Sequence, residues 1–166
     1  MKLIVLHDMR YGIAKRGDQP IHITADLQRF RRLTTGHTVV MGRKTAEVLR
    51  KPLKERTNVV LSRNPNLILP NGFIRVSFFE PNDYTADDFI IGGANVYNQA
   101  LESDIIDTIY GTMIFYDFHC DQFINVNREP KWMTTDLSEP KTYVDPDGQE
   151  YTYIFYTQRR VDRAKQ

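Results

Sequence analysis

Asp88-Phe89-Ile90-Ile91-Gly92-Gly93-Ala94-Asn95-Val96-Tyr97 runs from an apolar segment through two glycines into a helix-forming segment. The apolar run Phe89-Ile90-Ile91 is short, aromatic and β-branched, which predicts a buried strand. From Ala94 to Leu101, Val96, Tyr97, Ala100 and Leu101 fall on one side at helical spacing, which predicts a helix. Two glycines between strand and helix let the backbone approach a ligand closely. The helix start beyond them offers unpaired N–H groups to a phosphate or pyrophosphate. The plainer reading of the same residues is a tight turn, because the pattern is not G-x-G-x-x-G.

The rest of the chain repeats this strand-then-helix order. Leu3 to Leu6 predicts a first strand and Asp8 to Pro20 a charged, glycine-containing loop. Thr24 to Leu33 predicts a helix with Thr24 as N-cap and Leu27, Phe30 and Leu33 on one face. His37 to Met41 is a second strand ending at Gly42, and Arg43 to Leu49 a second helix. Further strands are expected at Asn58 to Leu61, Phe73 to Phe79 and Thr108 to Phe118. The last third is strand-like at Trp132, Tyr143 and Tyr151 to Tyr156, with a turn at Asp145-Pro146-Asp147-Gly148 and a charged, fraying tail from Arg159 to Gln166. Alternating strands and helices followed by a hairpin predict an α/β fold, a mainly parallel sheet with an antiparallel C-terminal edge.

Composition narrows the function classes. The chain has 166 residues and shows no repeat, low-complexity tract or linker, so a single domain spanning 1–166 is expected. Cys120 is the only cysteine, which excludes an internal disulfide and a cysteine-rich zinc site. Lys and Arg number 22 against 21 Asp and Glu, so no global charge argues for nucleic acid. The apolar start is too short for a secretory core or a membrane span. The expectation is a cytoplasmic protein, monomeric, with no nucleic-acid or membrane partner.

Three strand ends carry groups suited to anions. Met41-Gly42-Arg43-Lys44-Thr45 offers two cations and a hydroxyl, Ser62-Arg63 a hydroxyl and a guanidinium, and Gly92-Gly93 the turn already described. Each alone also reads as a solvated turn. Together, at the carboxyl ends of parallel neighbours, they favour a dinucleotide with an additional phosphate. Asp26 is the only acid in the first helix; it reads either as a dipole-stabilising residue or as a buried carboxylate that hydrogen-bonds a heterocycle. Arg56 reads either as a surface charge or as a clamp on a substrate carboxylate.

Taken in order, four segments resemble dihydrofolate reductase. Gly12-Ile13-Ala14-Lys15-Arg16-Gly17-Asp18-Gln19-Pro20-Ile21-His22-Ile23-Thr24-Ala25-Asp26-Leu27 is similar to the family's G-I-G-K-x-G-x-L-P-W-H-I-P-x-D-L, and Met41-Gly42-Arg43-Lys44-Thr45 to its M-G-R-x-T. Pro52 to Arg63 is similar to P-L-x-x-R-x-N-x-V-L-S-R, and Ile91 to Tyr97 to I-G-G-x-x-[IV]-Y. The resemblance implies a mostly parallel eight-stranded sheet with flanking helices, an adenosine-binding subdomain at about residues 37–88, and NADPH-dependent reduction of dihydrofolate. It makes Asp26 and its partner Thr112 catalytic, and sets Val5, Leu27, Phe30, Leu49, Arg56 and Ile91 around the substrate. Leu6, Ile13, Gly42, Arg43, Lys44, Thr45, Leu61, Ser62 and Arg63 are implied to hold NADPH, together with Ile91, Gly92, Gly93, Ala94, Asn95, Val96 and Tyr97. It also implies that the protein belongs to a class of antifolate targets.

The chain departs from that pattern at Ile21, where the family usually has tryptophan, and at Ala14, Gln19, Thr24 and Ala46. Phe79 to Asp88 leaves little room for the family's usual helix before the glycine pair. Two other readings compete: a pyrimidine reductase of riboflavin synthesis, which has no glutamate tail for Arg56 to clamp, and a reductase-like nucleotide-binding protein without turnover.

Overall fold

Lys2–Asp8 forms β1, a strand whose residues from Leu3 onward are all buried. In the computed structural model, which describes residues 1–126 and 131–161, β1 lies between two parallel neighbours. One is β6 (Phe89–Gly92) and the other β7 (Thr108–Ile114). Beyond β6 come β3 (Thr38–Gly42), β4 (Thr57–Leu61) and β5 (Phe73–Val76), all parallel. On the other side β7 pairs antiparallel with the long β11 (Glu150–Arg160). The outer edge of β11 is shared in succession by β10 (Lys141–Val144) and β9 (Trp132–Leu137). The sheet is therefore eight strands wide in the order β10-β11-β7-β1-β6-β3-β4-β5, with β9 paired to β11 beside that path. A small antiparallel pair, β2 (Gly12–Ala14) with β8 (Gln122–Phe123), stands apart.

Among the described residues three α-helices cover the sheet: α1 (Thr24–Thr34), α2 (Arg43–Leu49) and α3 (Ala94–Glu102). Strand alternation divides the core between two faces. Leu3 and Val5 of β1 pack with Ile109 of β7 and with Val96, Tyr97 and Ala100 of α3. Ile4 packs with Phe89, Val39 and Met41 beneath Phe30 and Leu33 of α1, and Leu6 with Ile21, Ile23, Ile114 and Tyr153. Among the described residues, no helix is long and apolar enough to cross a membrane.

The α/β architecture and the antiparallel edge match expectation, and several local readings are corrected. Ile23 occupies the N-cap position of α1 without a side-chain cap, and Thr24 is the first helical residue. Leu27 is 53% exposed, whereas Phe30 and Leu33 pack inward. A three-residue step turns 300° rather than a full circle, so the stripe drifts around the helix and Leu27 leaves it. The Asp8–Pro20 loop contains β2. β5 stops at Val76, and β7 at Ile114 rather than Phe118. Arg159 and Arg160 do not fray: they pair with Met133 and Trp132, while Asp162 to Gln166 lie outside the described residues. Only a single 3-10 turn, Pro81–Asp83, precedes β6, as the shortness of that segment predicts.

Candidate active site

The parallel strands β1, β3, β4, β6 and β7 end on one edge of the sheet, and α1 lies across the face beside it. Asp26, in the first turn of α1, accepts a 2.6 Å hydrogen bond from the Thr112 hydroxyl on β7. Thr112 lies opposite Leu6 on β1 and Phe155 on β11, so the carboxylate is set against the middle of the sheet. Burial raises the Asp26 carboxyl above the ordinary aspartate range; Thr112, Arg29 and His22 each oppose that rise without cancelling it. A half-buried acid that keeps its proton more readily than usual is suited to proton supply near neutral pH.

An apolar wall extends from this acid. Phe30, Leu49 and Ile91, half-buried, meet around the cluster of Ile4, Val39, Met41, Ala46 and Phe89. Leu27 stands exposed on the open side of α1. Val5 corrects the expectation: strand alternation sends its side chain to the α3 face, and Ile4 and Leu6 are the β1 side chains on the Asp26 face. At the far end of α1, Arg56 donates from Nε to the Lys54 carbonyl (2.8 Å) and from Nη1 to the Thr34 hydroxyl (3.0 Å). Its guanidinium lies 6.0 Å from the Phe30 ring. Partial burial, with Arg31 nearby, lowers its proton affinity. The buried Asn58 side chain shapes this turn, accepting from Leu53 N–H and donating to the Leu53 and Arg56 carbonyls.

The two glycine turns converge. A Cβ at Gly42 would meet Val96 at 3.2 Å, and one at Gly92 would meet the Thr45 hydroxyl at 3.4 Å. Gly92 has φ +134°, a conformation that suits glycine, and the Gly92–Gly93 peptide is cis. Thr45, Gly42 and Gly92-Gly93 thus line one small region, with Ala94 half-buried and Asn95 exposed beside it. Val96 and Tyr97 are another correction. Both side chains belong to the core, and the Tyr97 hydroxyl is spent between the Ile4 and Ile91 carbonyls at 2.7 and 2.9 Å. Further along the edge, Arg43 pairs with Glu47 at 3.2 Å, while Lys44 and Arg63 are exposed and form no ion pair among the described residues. Ser62 and Leu61 are half-buried, the Ser62 carbonyl held by Arg75 at 2.9 Å. Ile13, on β2, is buried beside Val5, Val40 and Val96.

The family model described as dihydrofolate reductase matches residues 1–160. The chain belongs to the dihydrofolate reductase family. It is 29% identical to the dihydrofolate reductase of Bacillus subtilis (strain 168) over 99% of this chain and 98% of that one. It is 31% identical to that of Staphylococcus aureus over 85% of this chain and 87% of the other. Among solved structures it resembles the dihydrofolate reductase from Enterococcus faecalis complexed with NADP(H) and RAB-propyl. That likeness has a TM-score of 0.78 and 27% identity, covering 97% and 96% of the two chains.

Within the dihydrofolate reductase pattern, Ile21 fills the tryptophan position as a buried core residue, 7% exposed, packed with Leu6 and Ile23. The segment before Asp26 is tied down elsewhere. The buried Asp8 carboxylate accepts the N–H groups of Arg10 (2.9 Å), Gly12 (2.8 Å) and Phe118 (3.1 Å), and Asp121 accepts that of Arg16 (2.9 Å). Sequence reasoning missed Ile4, Asn58 and Arg29. Ile4 was findable from strand alternation, since it shares a face with Leu6. Arg29 had one signal, its three-residue spacing from Asp26 on α1.

Proposed function

We propose that this protein catalyses the NADPH-dependent reduction of 7,8-dihydrofolate to 5,6,7,8-tetrahydrofolate. The observation that carries the reading is the Thr112–Asp26 pair: a lone, half-buried carboxyl with raised proton affinity beside an apolar wall, and Arg56 at the other end of the same helix. Membership of a family whose relatives are named dihydrofolate reductase supports it, as does a similar structure that holds NADP(H). A pyrimidine reductase would have no use for an arginine placed at the mouth of that wall.

Asp26 binds the pterin's 2-amino group and ring nitrogen and assists protonation at N5. Thr112 keeps the carboxyl oriented. Leu27, Phe30, Leu49 and Ile91 hold the flat ring and exclude water, with Val5 contributing main chain only. Arg56 clamps the glutamate α-carboxylate.

The residues present fit NADPH. The Gly42 and Gly92-Gly93 turns leave space that a Cβ would narrow, with the Thr45 hydroxyl facing it. Ala94 and Asn95, and the main chain at Val96 and Tyr97, continue that rim toward the pyrophosphate. Arg43, Lys44, Ser62 and Arg63, with Leu61, hold the adenosine half and its phosphates; residues 37–88 make up that subdomain. Leu6 and Ile13 border the nicotinamide end. When bound, NADPH supplies a hydride from its nicotinamide C4 to pterin C6. The segment from Met9 to Ile23 acts as the lid that keeps water out. We assign the protein to the cytoplasm, as a monomer, and its pterin site to antifolates.

The test is direct. Protein, NADPH and dihydrofolate are mixed and loss of the reduced-nicotinamide absorbance is followed. Turnover is expected; a folded protein that binds NADPH and shows none would sink the assignment.

A further inference from the structure

Arg29 is 8% exposed, a buried charge on α1 one turn beyond Asp26. A buried cation is costly unless its donors are met and its charge is balanced. Two of its donors go to backbone: Nη1 donates to the Gly111 carbonyl at 2.9 Å and Nη2 to the Tyr156 carbonyl at 3.1 Å. Its faces lie near aromatic rings, 4.7 Å from Phe155 and 5.7 Å from Tyr110. No carboxylate lies within ion-pair distance among the described residues.

The geometry places its balancing charge one helical turn away. Asp26 and Arg29 stand at i and i+3 on α1, and they land on consecutive residues of β7: Asp26 on the Thr112 hydroxyl, Arg29 on the Gly111 carbonyl. The guanidinium is gripped by two strands and two rings and cannot swing to a partner of its own. We propose that Arg29 is a fixed internal counter-charge to Asp26 that governs when Asp26 carries its proton, and is thereby a positioning residue for the reaction.

The groups around the pair leave Arg29 as the permanent cation. Within electrostatic reach of Asp26 are His22 from the lid segment, Tyr153 from β11 and, from the other face of the sheet, Tyr97 of α3, besides Thr112. Facing Arg29 are Arg32 of its own helix, Tyr110 of β7 and Asp136 of β9. His22 is exposed, and Tyr97 and Tyr153 are held neutral by burial. Among the carboxylates acting on Arg29, Asp26 acts most strongly.

The proposal rests on the reductase reading for its consequence, and its test does not depend on turnover. Protein labelled with carboxyl-13C aspartate is titrated by NMR, the Asp26 signal being the one lost in Asp26→Asn. In Arg29→Gln, which keeps a backbone donor and removes the charge, the Asp26 midpoint is expected to rise by on the order of one pH unit. In Arg29→Lys, which keeps the charge, it returns toward the parent value, and the alkaline limb of turnover moves with it in both variants. A midpoint unchanged in folded Arg29→Gln overturns the proposal. Should that variant fail to fold, the parent decides. The Arg29 Nε–H resonance must shift as Asp26 titrates and must stay still over that range in Asp26→Asn; no shift in the parent overturns the proposal. A moving midpoint without dihydrofolate turnover would overturn the reductase reading and leave the counter-charge standing.

Discussion

The Thr112 hydroxyl donates a 2.6 Å hydrogen bond to Asp26 across 86 residues of chain, fastening the start of α1 to the middle of the sheet. This bond favours the ionised carboxyl and opposes the larger effect of burial. Thr112→Val removes the donor and keeps the shape. Its expected cost is about 1 kcal/mol of stability, read by thermal unfolding. Turnover should fall several-fold near neutral pH, with its alkaline limb moved upward. A pH–rate profile superimposable on the parent's would refute the role given to the bond.

Asp26→Asn separates function from stability. Burial holds the folded carboxyl's proton more tightly than the unfolded chain does. The favourable contribution of the protonated form is therefore complete below the unfolded aspartate value, about 4, and is lost as pH rises through the raised folded value. Above that folded value the ionised, desolvated carboxyl is a burden, but Asp26→Asn also takes the balancing charge from buried Arg29, so the two effects oppose and the variant should unfold close to the parent's temperature. Its turnover should drop by on the order of a hundredfold or more, with NADPH binding by fluorescence nearly unchanged. Lower stability combined with full turnover would contradict both statements.

Arg56→Leu tests the clamp. The guanidinium is already fixed by Lys54 and Thr34, so removing it should chiefly raise KM for dihydrofolate, by about tenfold to a hundredfold. The value of kcat should change little. An unchanged KM counts against the clamp.

Gly111 is covered by the Tyr156 ring, and an added Cβ would come within 1.9 Å of it. Tyr156 cannot yield, because its hydroxyl donates to His7 Nε2 at 2.7 Å. Gly111→Ala should cost several kcal/mol and leave little folded protein. Double substitution with Tyr156→Phe should recover little, since the ring itself is in the way. Recovery of soluble, folded Gly111→Ala at parental yield would show that the ring is mobile.

His7 is buried between that hydroxyl and the Asp8 carbonyl, 2.7 Å from Nδ1, so it is neutral with the proton on Nδ1. Burial pushes its proton affinity down. The unfolded chain therefore binds a proton that the folded one refuses. Stability is complete above the unfolded histidine value, about 6.5, and falls by up to about 1.4 kcal/mol per pH unit below it. Unfolding followed between neutral pH and about pH 5 should show this slope, and His7→Gln should flatten it.

What could be read from the sequence followed the strength of the local signal. Short β-branched runs ending in glycine gave β3 and β6, and the helices after them began at the residues expected, Arg43 and Ala94. These elements are specified by their own composition. The misreadings arose where a distant partner decides the outcome. Arg159 and Arg160 look like a solvated tail until β9 pairs with them. Leu27 looks like core until the drift of the stripe is followed around α1. Among the arginines at 29, 31 and 32, only the packed structure shows which one points into the sheet. Asp26 and Arg56 were legible as candidates through their motifs. Thr112 was legible as the partner of Asp26 through the same resemblance, whereas Thr34 beside Arg56, and Gly111 and Tyr156 around Arg29, are matters of tertiary placement.

The position of β11 bears on how the protein is made. Arg29 and the Tyr156 carbonyl it binds are 127 residues apart, and Asp26 is fastened by a strand that β11 flanks. During synthesis from the N-terminus, α1 emerges early, with a basic residue destined for burial and no strand to receive it. The sheet between β1 and β7 can assemble beforehand, but its outer side stays bare until residues 150–160 arrive. The reacting end of the molecule is thus among the last parts to close, and the half-made chain presents an open strand edge that invites association with other chains.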